Sequence, residues 1–141
     1  MAEQVLRAEL AEAGLAGAVE VDSSGTGGWH EDEPMDPRAA AALAEREYPT
    51  AHMARRFVPA WFADRDLVLA MDAHNLATLR RGLPGDAAER LRMFASFAPG
   101  APDDAEVPDP YYGDAGFDEV LDLIERSAKG LVRALGDLLG T

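Results

Sequence analysis

The chain has 141 residues, 48% of them apolar, which suits one domain with a real core. A formal net charge of −13 argues against nucleic acid and anionic membrane as general partners. The absence of cysteine excludes disulfides, thiolate metal sites and thiol nucleophiles among these residues.

Met1–Gly14 is predicted to be a helix, since Met1, Val5, Leu6, Leu10 and Ala13 form a stripe and Gly14 suits its stop. No cap precedes it, so its first N–H groups are expected to lack a side-chain partner from upstream. Ala18–Asp22 alternates like a short strand, and the Gly-rich loop S-S-G-T-G-G follows. Asp36-Pro37 is a helix start, with Arg38–Tyr48 helical after it. Pro59–Asp64 reads as a short helical turn. Asp66–Met71 is a near-continuous apolar run, the pattern of a parallel strand buried on both faces. Ala73–Leu83 is a helix, Leu91–Phe97 a second strand, interrupted in its apolar pattern by Arg92 and Ser96, and Ala98–Gly116 a long loop. Phe117–Leu139 is the last helix, with Phe117, Val120, Ile124, Ala128, Leu131, Leu135 and Leu138 on one stripe.

Strands alternating with helices give an α/β fold with a parallel sheet. Such folds normally open on a strand, and this chain opens on a helix. The longest apolar stretches, Ala39–Ala44 and Leu67–Met71, are too short to span a bilayer. The N-terminus has an early acid and no apolar h-region of a signal peptide. A cytoplasmic location is the expectation.

In the long loop, Asp109 stands between two prolines in V-P-D-P-Y-Y-G. Taken alone, Pro-Asp-Pro is turn chemistry. Held beside aromatic rings, the same carboxyl is partly desolvated, keeps its proton and suits a general acid. Trp29, Tyr111 and Tyr112 also lie on loops, where they either pack on the core or wall a flat ligand. Ser23 opens a Gly-rich loop that lacks the Lys and spacing of a Walker loop. His30, His52 and His74 have no metal-ligand spacing, so no metal is expected. His52 by itself reads as a surface or structural histidine.

Together these stretches resemble the low-molecular-weight protein tyrosine phosphatases. The resemblance runs through V-D-S-S-G-T-G-G-W-H, D-P-R, H-M-A-R, L-V-L-A-M-D-A-H-N-L, V-P-D-P-Y-Y-G and G-F-D-E-V-L-D-L-I-E, in order and over essentially the whole chain. It implies a three-layer fold of the phosphotyrosine protein phosphatase I type, a four-stranded parallel sheet of order 2-1-3-4 between helices. It implies a Cys thiolate that attacks phosphorus and an Arg that holds the phosphoryl oxygens, both on a Cys-x5-Arg loop after the first strand. By the same resemblance Asp109 protonates the leaving oxygen, and Trp29, Tyr111 and Tyr112 form the substrate walls. Ser23 and His52 brace the phosphate loop. The substrate would be a phosphotyrosine protein or aryl phosphate, with no cofactor.

Met1-Ala2-Glu3 resembles the segment that directly follows that loop. The expectation is therefore one domain over residues 1–141, N-terminally incomplete, lacking the central first strand and the nucleophile and inactive as it stands. Ala18–Asp22 and Asp66–Met71 would then flank a gap with backbone groups unpaired. Each such group costs about 1–3 kcal/mol when buried, against a total stability of about 5–15 kcal/mol. An upstream start is the favoured explanation. The alternatives are a non-catalytic phosphotyrosine-binding or scaffold pseudophosphatase, and an arsenate reductase-like relative. The lack of further cysteines counts against the reductase.

Overall fold

The computed structural model describes residues 1–24, 37–50, 57–85, 88–108 and 116–139. The first helix, α1, spans Ala2–Glu12, and no side chain caps its start. It closes as predicted at Gly14, whose φ of 76° is left-handed, while the Leu15 N–H reaches back to the Leu10 carbonyl at 2.8 Å. That is a six-to-one bond of the Schellman type.

Helix α2 spans Pro37–Glu45, three residues short of the expected end at Tyr48. Its stop is another Schellman turn, in which Glu47 takes the left-handed conformation at φ 64° and the Tyr48 N–H bonds the Leu43 carbonyl at 3.0 Å. The residue at that position is usually Gly, so the sequence carried no stop signal. The predicted cap, Asp36, lies outside the described residues. Pro59–Ala63 forms a 3-10 turn close to the predicted one.

Strand β1 (Val68–Ala70) pairs in parallel with β2 (Leu91–Met93), Val68 opposite Leu91 and Ala70 opposite Met93. Both strands are shorter than predicted. β2 ends because the chain turns into a 3-10 helix over Phe94–Phe97. There the Ser96 hydroxyl donates to the Met93 carbonyl at 2.6 Å, a local bond that competes with the ladder.

Residues 18–22, predicted as a strand, are not one. Among the described residues the sheet has two strands, not four. Extended backbone becomes a strand only when it joins a ladder with another strand, whereas here the Ala18 and Val19 N–H groups donate to the Leu15 carbonyl and the Val21 carbonyl accepts from Arg7. Ala70 and Val68 are buried, but Leu67, Leu69 and Met71 are only half-buried. The expectation of a strand buried on both faces therefore holds on one face.

Helix α3 (Ala73–Arg81) begins at Asp72, whose carboxylate accepts the Asn75 N–H at 2.7 Å. This is an ordinary N-cap. Helix α4 runs Phe117–Leu139, as its periodicity predicts.

The layers follow from the two cores. One holds α1, α2, α4 and the Phe94–Phe97 turn, with Leu67, Leu69 and Met71 against it. The other packs Phe62, Leu79 of α3 and the opposite faces of β1 and β2. The sheet thus lies between two helical layers. α4 approaches the Phe97 backbone so closely that a Cβ on Gly130 would stand 1.8 Å from its carbonyl oxygen. Among the described residues no helix is long and apolar enough to cross a membrane.

Candidate active site

Open parallel sheets bind ligands outside the carboxyl ends of their strands. Three parts of this chain meet at that end of β1. Just past β1, the Met71 carbonyl accepts the Val107 N–H at 2.7 Å. One residue earlier in that segment, the Glu106 carboxylate accepts the Ala73 N–H, the first of α3, at 2.6 Å. Two bonds thus fasten the entry to the Asp109 loop onto the strand end and the helix start.

The third part is the start of α1. The Ser23 hydroxyl donates to the Glu3 carboxylate at 3.0 Å. Glu3 also faces Arg7 at 3.6 Å, one turn on, and the Arg7 guanidinium donates to the Val21 carbonyl at 2.6 Å. Segment 21–23 is therefore tied to the first turn of α1 by side chains rather than by a sheet. The early N–H groups of α1 have no side-chain cap. Uncapped helix starts favour anions, because the N–H groups and the dipole both point positive charge outward.

Between these parts lies a cavity of about 530 Å³ that touches Glu3, Ser23, Met71 and Asn75 at this end. Across it, Arg65 pairs with Asp22, and its guanidinium lies over the Trp61 ring, 5.0 Å from the centroid. Asp22 and Arg65 are both partly exposed, so the pair contributes about 1 kcal/mol at most.

Of the six residues singled out from the sequence, Ser23 is described, and its hydroxyl donates to Glu3 in the first turn of α1. Trp29, His52, Asp109, Tyr111 and Tyr112 lie outside the described residues. Sequence reasoning missed Glu3, Arg7 and Glu106. The first two carried a signal, an acid and a base four apart on one helix. Glu106 caps a helix 33 residues away in the chain, a partnership with no local signature.

A second polar cluster fastens α2 to α4, away from this cavity. The Tyr48 hydroxyl donates to Glu125 Oε2 at 3.0 Å, while Arg46 pairs with Glu125 and, at 2.9 Å, with Asp122. Burial, and then the bond to Glu125, pushes the Tyr48 phenol up to about 12.

A family model of the low molecular weight phosphotyrosine protein phosphatases matches residues 1–138. A low molecular weight protein-tyrosine-phosphatase of Streptomyces coelicolor is 48% identical over 138 residues, covering 96% of this chain and 84% of that one. Low molecular weight protein-tyrosine phosphatase A of Mycobacterium tuberculosis is 41% identical over 133 residues, 93% of this chain and 80% of that protein. Among solved structures, YfkJ from Bacillus subtilis superposes with a TM-score of 0.89 at 30% identity, covering 96% of this chain and 85% of that one. A protein tyrosine phosphatase from Entamoeba histolytica gives the same TM-score, 0.89, at 29% identity, with 96% and 87% covered.

Proposed function

We infer the chemistry from one premise: the chain belongs to the low molecular weight phosphotyrosine protein phosphatase family. The relatives' names give phosphotyrosine on protein as what they act on, and the same substrate class is proposed for this fold. Asp109 is the general acid. It gives its proton to the phenolic oxygen as the bond to phosphorus breaks, so that a neutral tyrosine leaves instead of a phenolate. Trp29, Tyr111 and Tyr112 are the walls of the slot that takes the aryl ring. Ser23 and His52 brace the phosphate end.

The observation that carries this reading is the double anchor at Glu106 and Val107. It holds the backbone two residues before Asp109 at the carboxyl end of β1, where an open sheet places its ligand. Positioning supplies much of a proton donor's effect, and the bonded residues Glu106 and Val107 are the described entry to its loop.

These 141 residues include no cysteine, so by themselves they form no cysteinyl-phosphate. The chain supplies the leaving-group half of the reaction, and the attacking sulfur belongs to a segment outside these residues. The test uses para-nitrophenyl phosphate. The chain alone is expected to show no turnover. The chain joined to an apolar strand and a Cys-x5-Arg loop ahead of Met1 is expected to turn over. In that longer protein Asp109→Asn should slow aryl release by about 10²–10⁴ and flatten the limb of the pH profile where the acid must be protonated. Turnover by the cysteine-free chain would refute the reading of the nucleophile. A change in KM alone on Asp109→Asn would return Asp109 to a turn residue.

A further inference from the structure

Resting on the roles given above to Asp109, Trp29, Tyr111 and Tyr112, we propose that Arg38 is a positioning residue for the aryl slot. Through Phe117 it fastens the return of the Trp29 segment to the return of the Asp109–Tyr112 segment, so that the two walls keep one spacing. A juxtaposition carries this. The segment with Trp29 rejoins the described residues at Pro37, the first residue of α2. The segment with Asp109, Tyr111 and Tyr112 rejoins them at Gly116, and α4 starts at Phe117. Far apart in the chain, the two returns meet in space. The Arg38 guanidinium lies over the Phe117 ring, 5.1 Å from its centroid.

The two helices are joined without this contact. Ala42 and Leu43 of α2 share a buried core with Val120 and Leu121 of α4. Past the other end of α2, Arg46 pairs with Asp122 and Glu125, and its guanidinium donates to the Asp118 carbonyl at 3.3 Å. Arg38 itself is exposed, so it is not needed to bury apolar surface. Its contribution is local, a contact within one residue of each return. A planar guanidinium stacks on an aromatic face and is attracted by the ring's quadrupole.

The entries of the same two segments are held to different parts of the fold. Ser23 is bonded to Glu3 of α1, while Glu106 is bonded to the start of α3 and Val107 to the end of β1. The entries therefore fix each segment separately, and Arg38 on Phe117 ties one return to the other. Small displacements of groups that position a substrate cost rate or affinity out of proportion to the stability they carry. Loss of this pair should therefore weaken the hold on the aryl ring and spare the hold on the phosphoryl group.

Two measurements test it. The first uses hydrogen exchange on the full 141-residue chain and needs no catalysis. Arg38→Ala should quicken exchange in the other helix, at Val120, whose N–H bonds the Gly116 carbonyl at 3.1 Å. Phe117→Leu, which keeps apolar bulk without the ring, should quicken it at Ala41 in α2. Each change should be about 2–5-fold, the worth of an exposed cation–π contact. An effect confined to the substituted helix would overturn the proposal. The second uses the longer protein with the Cys-x5-Arg loop and compares two inhibitors of para-nitrophenyl phosphate turnover. Benzylphosphonate carries a ring and an anion, and inorganic phosphate the anion alone. Arg38→Ala should raise the inhibition constant of benzylphosphonate by about 2–5-fold and leave that of phosphate unchanged. The double variant Arg38→Ala/Phe117→Leu should lose no more than either single one, because both remove the same contact. Equal weakening of both inhibitors, unchanged benzylphosphonate or additive losses would overturn the proposal. Failure of the underlying reading looks different: the unsubstituted longer protein would not turn over at all, and the proposal would fall with that reading whatever the exchange shows.

Discussion

Leu10 of α1 and Leu121 of α4 are 1% and 0% exposed, whereas Leu67, Leu69 and Met71, on the same apolar core, are only half-buried. The helical side is closed and the sheet side is open. A helix bonds its own backbone and asks its neighbours only for apolar contact. A strand borrows half of its bonding from a neighbour, so a missing neighbour leaves both an unpaired edge and uncovered side chains. Among the described residues the helices therefore satisfy their own backbones, while β1 is laddered to β2 on one side.

The largest effects should fall on the closed side. Leu121→Ala is expected to lower unfolding free energy by about 3–5 kcal/mol, the upper range for a fully buried Leu whose cavity cannot collapse. Gly130→Ala should cost about 3 kcal/mol, because the new methyl meets the Phe97 carbonyl at 1.8 Å and backbone must move. On the open side Leu69→Ala should cost only about 1 kcal/mol, since part of its surface is already in water. Urea denaturation of the three variants checks the order. Equal losses at Leu121 and Leu69 would erase the contrast.

Smaller effects sharpen it. Glu106→Ala removes the acceptor for the Ala73 N–H and should cost about 0.5–1 kcal/mol, with faster hydrogen exchange at Val107 as the more telling readout. Tyr48 lies on the closed side, and its phenol is held above the usual 10.0, at about 12, by burial and by Glu125. The folded state therefore keeps a proton that the unfolded state loses. That contribution is full below pH 10 and disappears as pH rises towards 12. Ultraviolet titration should show one late tyrosine, absent in Tyr48→Phe, and the variant should lose less stability across that interval.

The same contrast decides what the sequence could reveal. The bounds of α4 were legible because Val120, Ile124, Ala128 and Leu131 repeat at helical spacing, and a helix is specified locally. The stop of α1 was legible in Gly14. The stop of α2 was not, because Glu47 occupies a position where Gly is the usual signal. Leu91–Phe97 read as one strand because Ser96 looks like any polar strand residue until its hydroxyl turns back to Met93. Residues 18–22 have the alternation of a strand, but alternation says nothing of whether a neighbour is present. At the candidate site, Ser23 was found by its place in a motif. The bond from the Ala73 N–H to Glu106 depends on contact across the fold, and no spacing encodes that.

Native-state hydrogen exchange on the chain alone tests the open-sheet account most directly. Amides of residues 120–132 in α4 should exchange only through global unfolding, the slowest class. Amides of 19–24 should exchange by local opening, faster by orders of magnitude, and those of 67–71 should divide into slow ones bonded to β2 and fast ones facing the cavity. Uniform slow exchange along 19–24 and 67–71, matching α4, would mean the two edges are already paired and would contradict the account.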